Sequence, residues 1–247
     1  MKIVGRTDIG RRRTEHQHNN RAGRQSDDTL WAVVCDGMGG ARGGAVASSI
    51  AVSVLEQRFS GGLTPQLPED GIRALMEDAA SQANREVYQL ACADPSKRGM
   101  GTTLVALVLR GSTVHLMHAG DSRAYLYRSG ALERLTRDHS MVQEMVENGS
   151  LTPQQAENHP NKNLITRAVG VNAELEVEYG ERQVQLGDIL LLCSDGLTNS
   201  VSEQDLCGIL AGGEFFGAAD AMVRAALAGG GQDNITSVLV KVEATEE

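Results

Sequence analysis

VVCDGMGGARGG, residues Val33 to Gly44, is the stretch around which the chain is organised. The apolar run Trp31–Cys35 reads as a buried strand. It stops on Asp36-Gly37, and a glycine-dense turn leads into a small-residue helix over Ala45–Phe59. The pattern recurs downstream, where Ile189–Cys193 runs into Ser194-Asp195-Gly196. A third acidic residue, Asp233, lies in the turn Gly229–Asn234, ahead of the apolar run Ile235–Val242. Asp-Gly by itself is a favoured turn dipeptide. Two long apolar strands that both stop on it, with a third acidic turn in the same glycine surround, point beyond turn chemistry to a site for hard divalent cations. Mg²⁺ and Mn²⁺ prefer oxygen ligands, and glycine lets a backbone carbonyl approach an ion with no side chain in the way.

The 247 residues suffice for one large domain with a substantial core. Hydrophobic residues make up 41% and charged residues 22%, the balance of an ordinary globular chain. A formal net charge of −9 argues against nucleic-acid or anionic-membrane partners, both of which need a basic face. An anionic substrate must then be captured locally, by metal ions and a few arginines. Cys35, Cys92, Cys193 and Cys207 show no CxxC spacing, and Cys35 and Cys193 lie inside apolar runs, where a thiol behaves as a small hydrophobe. No disulfide framework or zinc site is implied, which suits a reducing compartment. There is no apolar stretch of membrane-spanning length, and MKIVGRTDIG lacks the apolar segment of a signal peptide, so a cytoplasmic location is expected.

Outward from the organising stretch, Lys2–Asp8 alternates weakly, as an edge strand would, and polar Arg21–Asp28 reads as a surface loop or hairpin tip. Asp70–Ala91 carries Ile72, Leu75, Met76, Ala79, Ala83 and Val87 on one face of an amphipathic helix. Thr102–Leu109, Thr113–Ala119, Ala124–Arg128 and Leu132–Leu135 are short strands whose turn spacing predicts an antiparallel meander, with Asp121 at a tight glycine turn inside it. Asp138–Asn148 and Pro153–His159 read as short helices, the second with Thr152 as N-cap and Pro153 at its first position. Asn161–Asn172 is polar and irregular; strands return at Glu174–Val184 and Asp188–Cys193, and helices at Ser202–Leu210 and Gly217–Leu227 precede the final strand. No repeat, low-complexity segment or linker divides the chain, so residues 1–247 are expected to form a single domain.

Taken in order, TDIGRRR at Thr7–Arg13, DGMGG at Asp36–Gly40, GTT at Gly101–Thr103, GDSRAY at Gly120–Tyr125, SDGLT at Ser194–Thr198 and GGQDNIT at Gly230–Thr236 form one set. The set resembles the motifs of the metal-dependent serine/threonine protein phosphatases of the PPM (type 2C) family, bacterial single-domain members above all. The resemblance spans nearly the whole chain. It implies an α+β fold, an α-β-β-α four-layer sandwich of two antiparallel sheets flanked by helices, with a flap at about residues 138–170 that contributes to substrate choice. It also implies two core ions, Mn²⁺ or Mg²⁺. Asp36 would bridge them, Asp195 and Asp233 would complete the shell of the first, and the Gly37 carbonyl would help to hold the second. Asp121 matches the residue that, with Asp195, holds a third and weaker ion.

By the same resemblance Asp36, Asp195 and Asp233 form the catalytic centre and Arg13 binds the substrate phosphate, a role that suits a guanidinium with two parallel donors. The implied reaction is hydrolysis of phosphoserine or phosphothreonine in proteins by a metal-activated water, on substrates of a Ser/Thr kinase, by a monomer. The sequence departs from the family pattern at His16-Gln17-His18, where an acidic residue is expected at position 18. Imidazole is a poor acceptor for several Mg²⁺-bound waters but can ligate Mn²⁺ or Fe²⁺, so His18 is a metal or water-shell candidate, or else a polar loop residue. Ala41 also stands where a histidine is frequent. An active protein phosphatase is expected because all four aspartates are present. The alternatives are a catalytically weakened regulatory module that binds phosphoproteins and, as a minor option, a small-molecule phosphatase.

Overall fold

The computed structural model describes residues 1–212 and 214–244. Strands β1 (Lys2–Asp8), β2 (His18–Arg24) and β3 (Thr29–Met38) precede two long helices, α1 (Ala41–Gly62) and α2 (Glu69–Ala93). Then come β4 (Gly101–Thr102), β5 (Leu104–Arg110), β6 (Thr113–Ala119), β7 (Arg123–Arg128) and β8 (Ala131–Arg134). Short helices α3 (Met141–Glu147) and α4 (Pro153–Glu157) lead to β9 (Glu178–Gln183) and β10 (Ile189–Cys193). A single turn α5 (Asp195–Thr198), helices α6 (Glu203–Gly212) and α7 (Phe215–Ala228), and strand β11 (Ile235–Lys241) close the order.

The strands form two antiparallel sheets, ordered β1-β11-β10-β7-β8 and β2-β3-β5-β6-β9, with β4 attached to the end of β3. Side chains alternate across a strand, and this explains why the Trp31 run is apolar without a break. Leu30, Ala32 and Val34 face the opposite sheet, against a layer that includes Leu192 and Val240. Trp31, Val33 and Cys35 point the other way, into the side chains of α1 and α2. On the far sheet Leu191, Cys193 and Leu239 pack on α6 and α7 through Leu206, Met222 and Val223. Three apolar layers therefore separate a helix layer, two sheets and a second helix layer, as the expected α-β-β-α sandwich requires. Each fully buried Leu, Val or Phe in them contributes about 1.5–3 kcal/mol.

The structure corrects several local expectations. Residues 21–24 are not loop but the second half of β2, in register from His18 opposite Asp36 to Arg24 opposite Leu30. Their polarity is that of an edge strand, where charge discourages pairing with another chain. The strand β3 does not stop on Asp36-Gly37 either. It leaves β5 after Val34 and continues with Gly37 opposite Thr102 and Met38 opposite Gly101. The predicted meander is two hairpins in different sheets, β5–β6 and β7–β8, and the chain crosses between them at Gly120, whose φ of 108° permits the sharp turn. Helix α1 begins four residues early because Gly40 turns the chain at φ 85°. Helix α3 begins late: Ser140 caps it, and Asp138 is instead held by Arg123 and Arg134. Among the described residues no helix is long and apolar enough to cross a membrane.

Candidate active site

The sandwich brings four aspartates to one end. Asp36 stands near the end of β3, Asp121 in the crossover from β6 to β7, Asp195 at the start of α5, and Asp233 in the turn before β11. They lie near enough to act on one another electrostatically, although no three of them bring ligand oxygens within 4.8 Å of one another. Burial raises the Asp195 carboxyl well above the usual carboxylate range, and the charges of Asp121, Asp36 and Asp233 raise it further. Asp121 is pushed up to about 7, by burial first, then by Asp36 and Asp138, against the pull of Arg123. Four clustered carboxylates with hard oxygen donors and too little positive charge are a donor set that a divalent cation of the Mg²⁺ or Mn²⁺ type fits.

Local chemistry fixes each carboxylate. Asp36 N–H donates to Thr103 Oγ1 at 2.9 Å and Thr103 N–H to the Asp36 carbonyl at 2.8 Å, while Thr103 Oγ1 lies 2.7 Å from Ser122 Oγ beside Asp121. Asn199 Nδ2 donates to Asp195 Oδ2 at 3.0 Å. The glycine in each Asp-Gly pair has a packing reason that the sequence did not show. A Cβ on Gly37 would lie 2.0 Å from the Gly44 carbonyl oxygen, and one on Gly196 would lie 2.0 Å from that of Asn234. Both backbones cross a neighbour too closely for any side chain.

The loop between β1 and β2 brings Arg13 to the rim. Its Nε and Nη2 donate to the two carboxylate oxygens of Asp233 at 2.7 and 2.5 Å. Asn234 ties the same loop down, accepting from Gln17 N–H at 2.7 Å and donating to the Ile9 carbonyl at 2.8 Å. His16 is exposed, but His18 is no polar loop residue: its side chain is 0% exposed. Its Nδ1 lies 3.2 Å from Thr236 Oγ1, and its Nε2 lies 2.8 Å from Asp36 Oδ1 but off the line of a good hydrogen bond. Position 18 thus stands directly behind Asp36. Asp121 and Asp195 also line a cavity of about 720 Å³ that opens between the α3–α4 segment and α5–α6, with Val142 and Val201 among its apolar walls. Sequence reasoning missed Thr103, Asn234 and His139. The first two lie within quoted motifs, and His139 carried no signal beyond its place next to Asp138.

The protein phosphatase 2C family model matches residues 13–239. The chain is 38% identical to a serine/threonine phosphatase of Listeria monocytogenes over 248 aligned residues, covering 100% of this chain and 98% of that one. Its structure matches that of the S. agalactiae serine/threonine phosphatase with a TM-score of 0.92 at 35% identity, covering 98% of this chain and 99% of that one. It matches the catalytic domain of the phosphatase PstP, solved in complex with two manganese ions, with a TM-score of 0.86 at 33% identity over 98% of each chain. The fold and the relatives are those of a metal-dependent serine/threonine protein phosphatase. The chain belongs to the protein phosphatase 2C family.

Proposed function

We propose that this protein hydrolyses phosphoserine and phosphothreonine in protein substrates. The observation that carries the reading is the meeting of Asp36, Asp121, Asp195 and Asp233 at one end of the sandwich, with Arg13 at the rim. In this reading Asp36, Asp195, Asp233 and the Gly37 carbonyl would hold two core ions, and Asp121 with Asp195 would offer a weaker third place. Bound Mn²⁺ or Mg²⁺ supplies Lewis acidity and a water activated near neutral pH. The chain's own residues do the rest. Arg13 would orient a phosphoryl group with the guanidinium donors that Asp233 does not occupy, or with the Nε–Nη2 pair once Asp233 turns to an ion. The inter-sheet scaffold fixes the carboxylates before substrate arrives, so little reorganisation is needed during reaction. Residues 138–170 act as a flap over the cavity beside Asp121 and Asp195, which receives the peptide around the phosphoresidue.

We assign the whole chain to one domain, acting as a monomer on products of a Ser/Thr kinase. Its cysteines are all free, which supports action in a reducing cytoplasm. The test is hydrolysis of a phosphothreonine peptide across titrations of Mn²⁺ and Mg²⁺, with and without EDTA. Activity should vanish on chelation, and Asp36→Asn should lose on the order of 10²-fold or more, since metal placement supplies several kcal/mol at about 1.4 kcal/mol per decade. Full turnover after exhaustive chelation would contradict the reading.

A further inference from the structure

His139 is the node at which the flap meets the aspartate cluster. Its backbone N–H donates to the Gly120 carbonyl at 2.9 Å, and Gly120 N–H returns a bond to the His139 ring at Nδ1, at 3.2 Å. Thr166 N–H donates to the His139 carbonyl at 2.8 Å, and the neighbouring Ser140 bridges Ile165, so the two ends of the flap close on this residue. On the other side of Gly120 a Cβ would meet Thr103 Cγ2 at 2.8 Å. Gly120 is therefore clamped between His139 and Thr103, and Thr103 is the residue bonded to Asp36.

The ring of His139 is itself held in one state. Gly120 N–H can only donate, so Nδ1 is bare and the ring proton sits on Nε2, which lies 3.2 Å from Glu178 Oε2 and, more loosely, 3.4 Å from Arg167 Nη1. His118 stacks on it, centroids 4.6 Å apart and planes 8° from parallel, with His118 Nε2 donating to the Arg137 carbonyl at 2.7 Å. His118, His139 and Glu178 bring potential ligand atoms within 4.8 Å of one another, yet this is no ion site. An imidazole binds an ion in its ring plane, and two stacked parallel planes share no such point. The cluster does something else.

We infer that His139 is a positioning residue: through its bare Nδ1 and backbone N–H it fixes the Gly120-Asp121 turn against Asp36 and ties the base of the flap to that turn. The inference rests on the assignment of Asp121 as an ion-holding carboxylate. It makes the flap and the weakest ion interdependent, since both hang on one peptide unit.

Three variants and one spectroscopic measurement test it. His139→Phe keeps a flat ring for the stack but removes the acceptor; His139→Asn restores an acceptor near the place of Nδ1; Asp121→Ala removes the carboxylate itself. Calorimetric Mn²⁺ titration of folded His139→Phe should show the weakest binding step loosened on the order of tenfold, the effect typical of a partner that orients a ligand, while His139→Asn recovers most of it. Turnover on a phosphopeptide should fall in the same order. If Asp121→Ala shifts the Mn²⁺ titration and His139→Phe does not, the positioning role is wrong and the ligand assignment stands. If neither shifts it, the ligand assignment is wrong and takes the inference with it. A His139→Asn as impaired as His139→Phe also overturns the role. Nitrogen NMR of the histidine-labelled wild type decides the matter if His139→Phe does not fold. A bare Nδ1 coupled to Gly120 N–H is expected, and a protonated Nδ1 refutes the device.

Discussion

Position 18 shows what one side chain decides. The family pattern places an acidic residue there, and the structure places His18 wholly out of water with Nε2 2.8 Å from Asp36 Oδ1. Thr236, bonded in turn to Thr7 at 2.9 Å, holds the far side of the ring. His18→Leu keeps the volume and removes that neighbour, so on the role proposed for Asp36 an ion held there should bind more weakly. His18 is off the line of a good hydrogen bond, so the loss should lie at or below the low end of the about 10–100-fold worth of a partner that orients a ligand. His18→Asp should act in the opposite sense for Mg²⁺, because a carboxylate accepts several hydrogen bonds from hydrated Mg²⁺ where imidazole accepts one. A gain on the order of tenfold in apparent Mg²⁺ affinity, about 1.4 kcal/mol, is expected. Parallel Mg²⁺ and Mn²⁺ calorimetry of the three proteins checks both outcomes, and superimposable curves would make His18 a bystander.

At the scale of elements, the glycines separate two causes that look alike in sequence. Gly37→Ala forces a Cβ onto the backbone of α1, an atom that cannot rotate away, so chemical denaturation should show a loss of about 1–3 kcal/mol or more. Gly208→Ala, in the exposed interior of α6 with nothing within 4 Å, should gain about 0.4–1 kcal/mol by restricting the unfolded chain. The letters set Gly37 apart as half of an Asp-Gly pair, but they do not show the backbone crossing that makes it irreplaceable. What the sequence does carry is each element with a strong period: β3, α2, β6 and β10 fall within a few residues of their expected places, because each buries at least one continuous face. It fails where pairing decides. The polar edge strand β2 has no apolar period to display, and β5–β6 and β7–β8 alternate alike although they belong to different sheets. The aspartates were legible because strand ends mark them. Their neighbours His139 and Asn234 were not, because hydrogen bonds across 19 and 217 residues leave no local trace.

Across the whole molecule the aspartate cluster opposes folding unless cations answer it. Asp121 has its pKa pushed up to about 7 in the fold, so above an ordinary carboxylate pKa the folded state holds a proton that the unfolded chain has released. Stability from this group is therefore lost as pH rises through that window. Metal-stripped Asp121→Asn should melt above metal-stripped wild type at pH 8, and the gap should close toward pH 5. Several degrees are expected, since about 1 kcal/mol moves Tm by roughly 2–4 °C at this size. Comparing the two proteins at each pH cancels the opposite trend from His115, His118 and His139, whose pKa values burial lowers. Scanning calorimetry at the two pH values reads the result, and a gap that does not depend on pH would count against it. The cluster is also divided between the sheets: Asp36 rides on β3, Asp195 and Asp233 on the ends of β10 and β11. The two sheets act as the jaws of a caliper, with the apolar layer of Leu107, Leu126, Leu192 and Val240 as its spacer. A methylene trimmed from that spacer, with no polar group touched, should reset the gap between the carboxylates, which sets the gauge of the site in hydrocarbon.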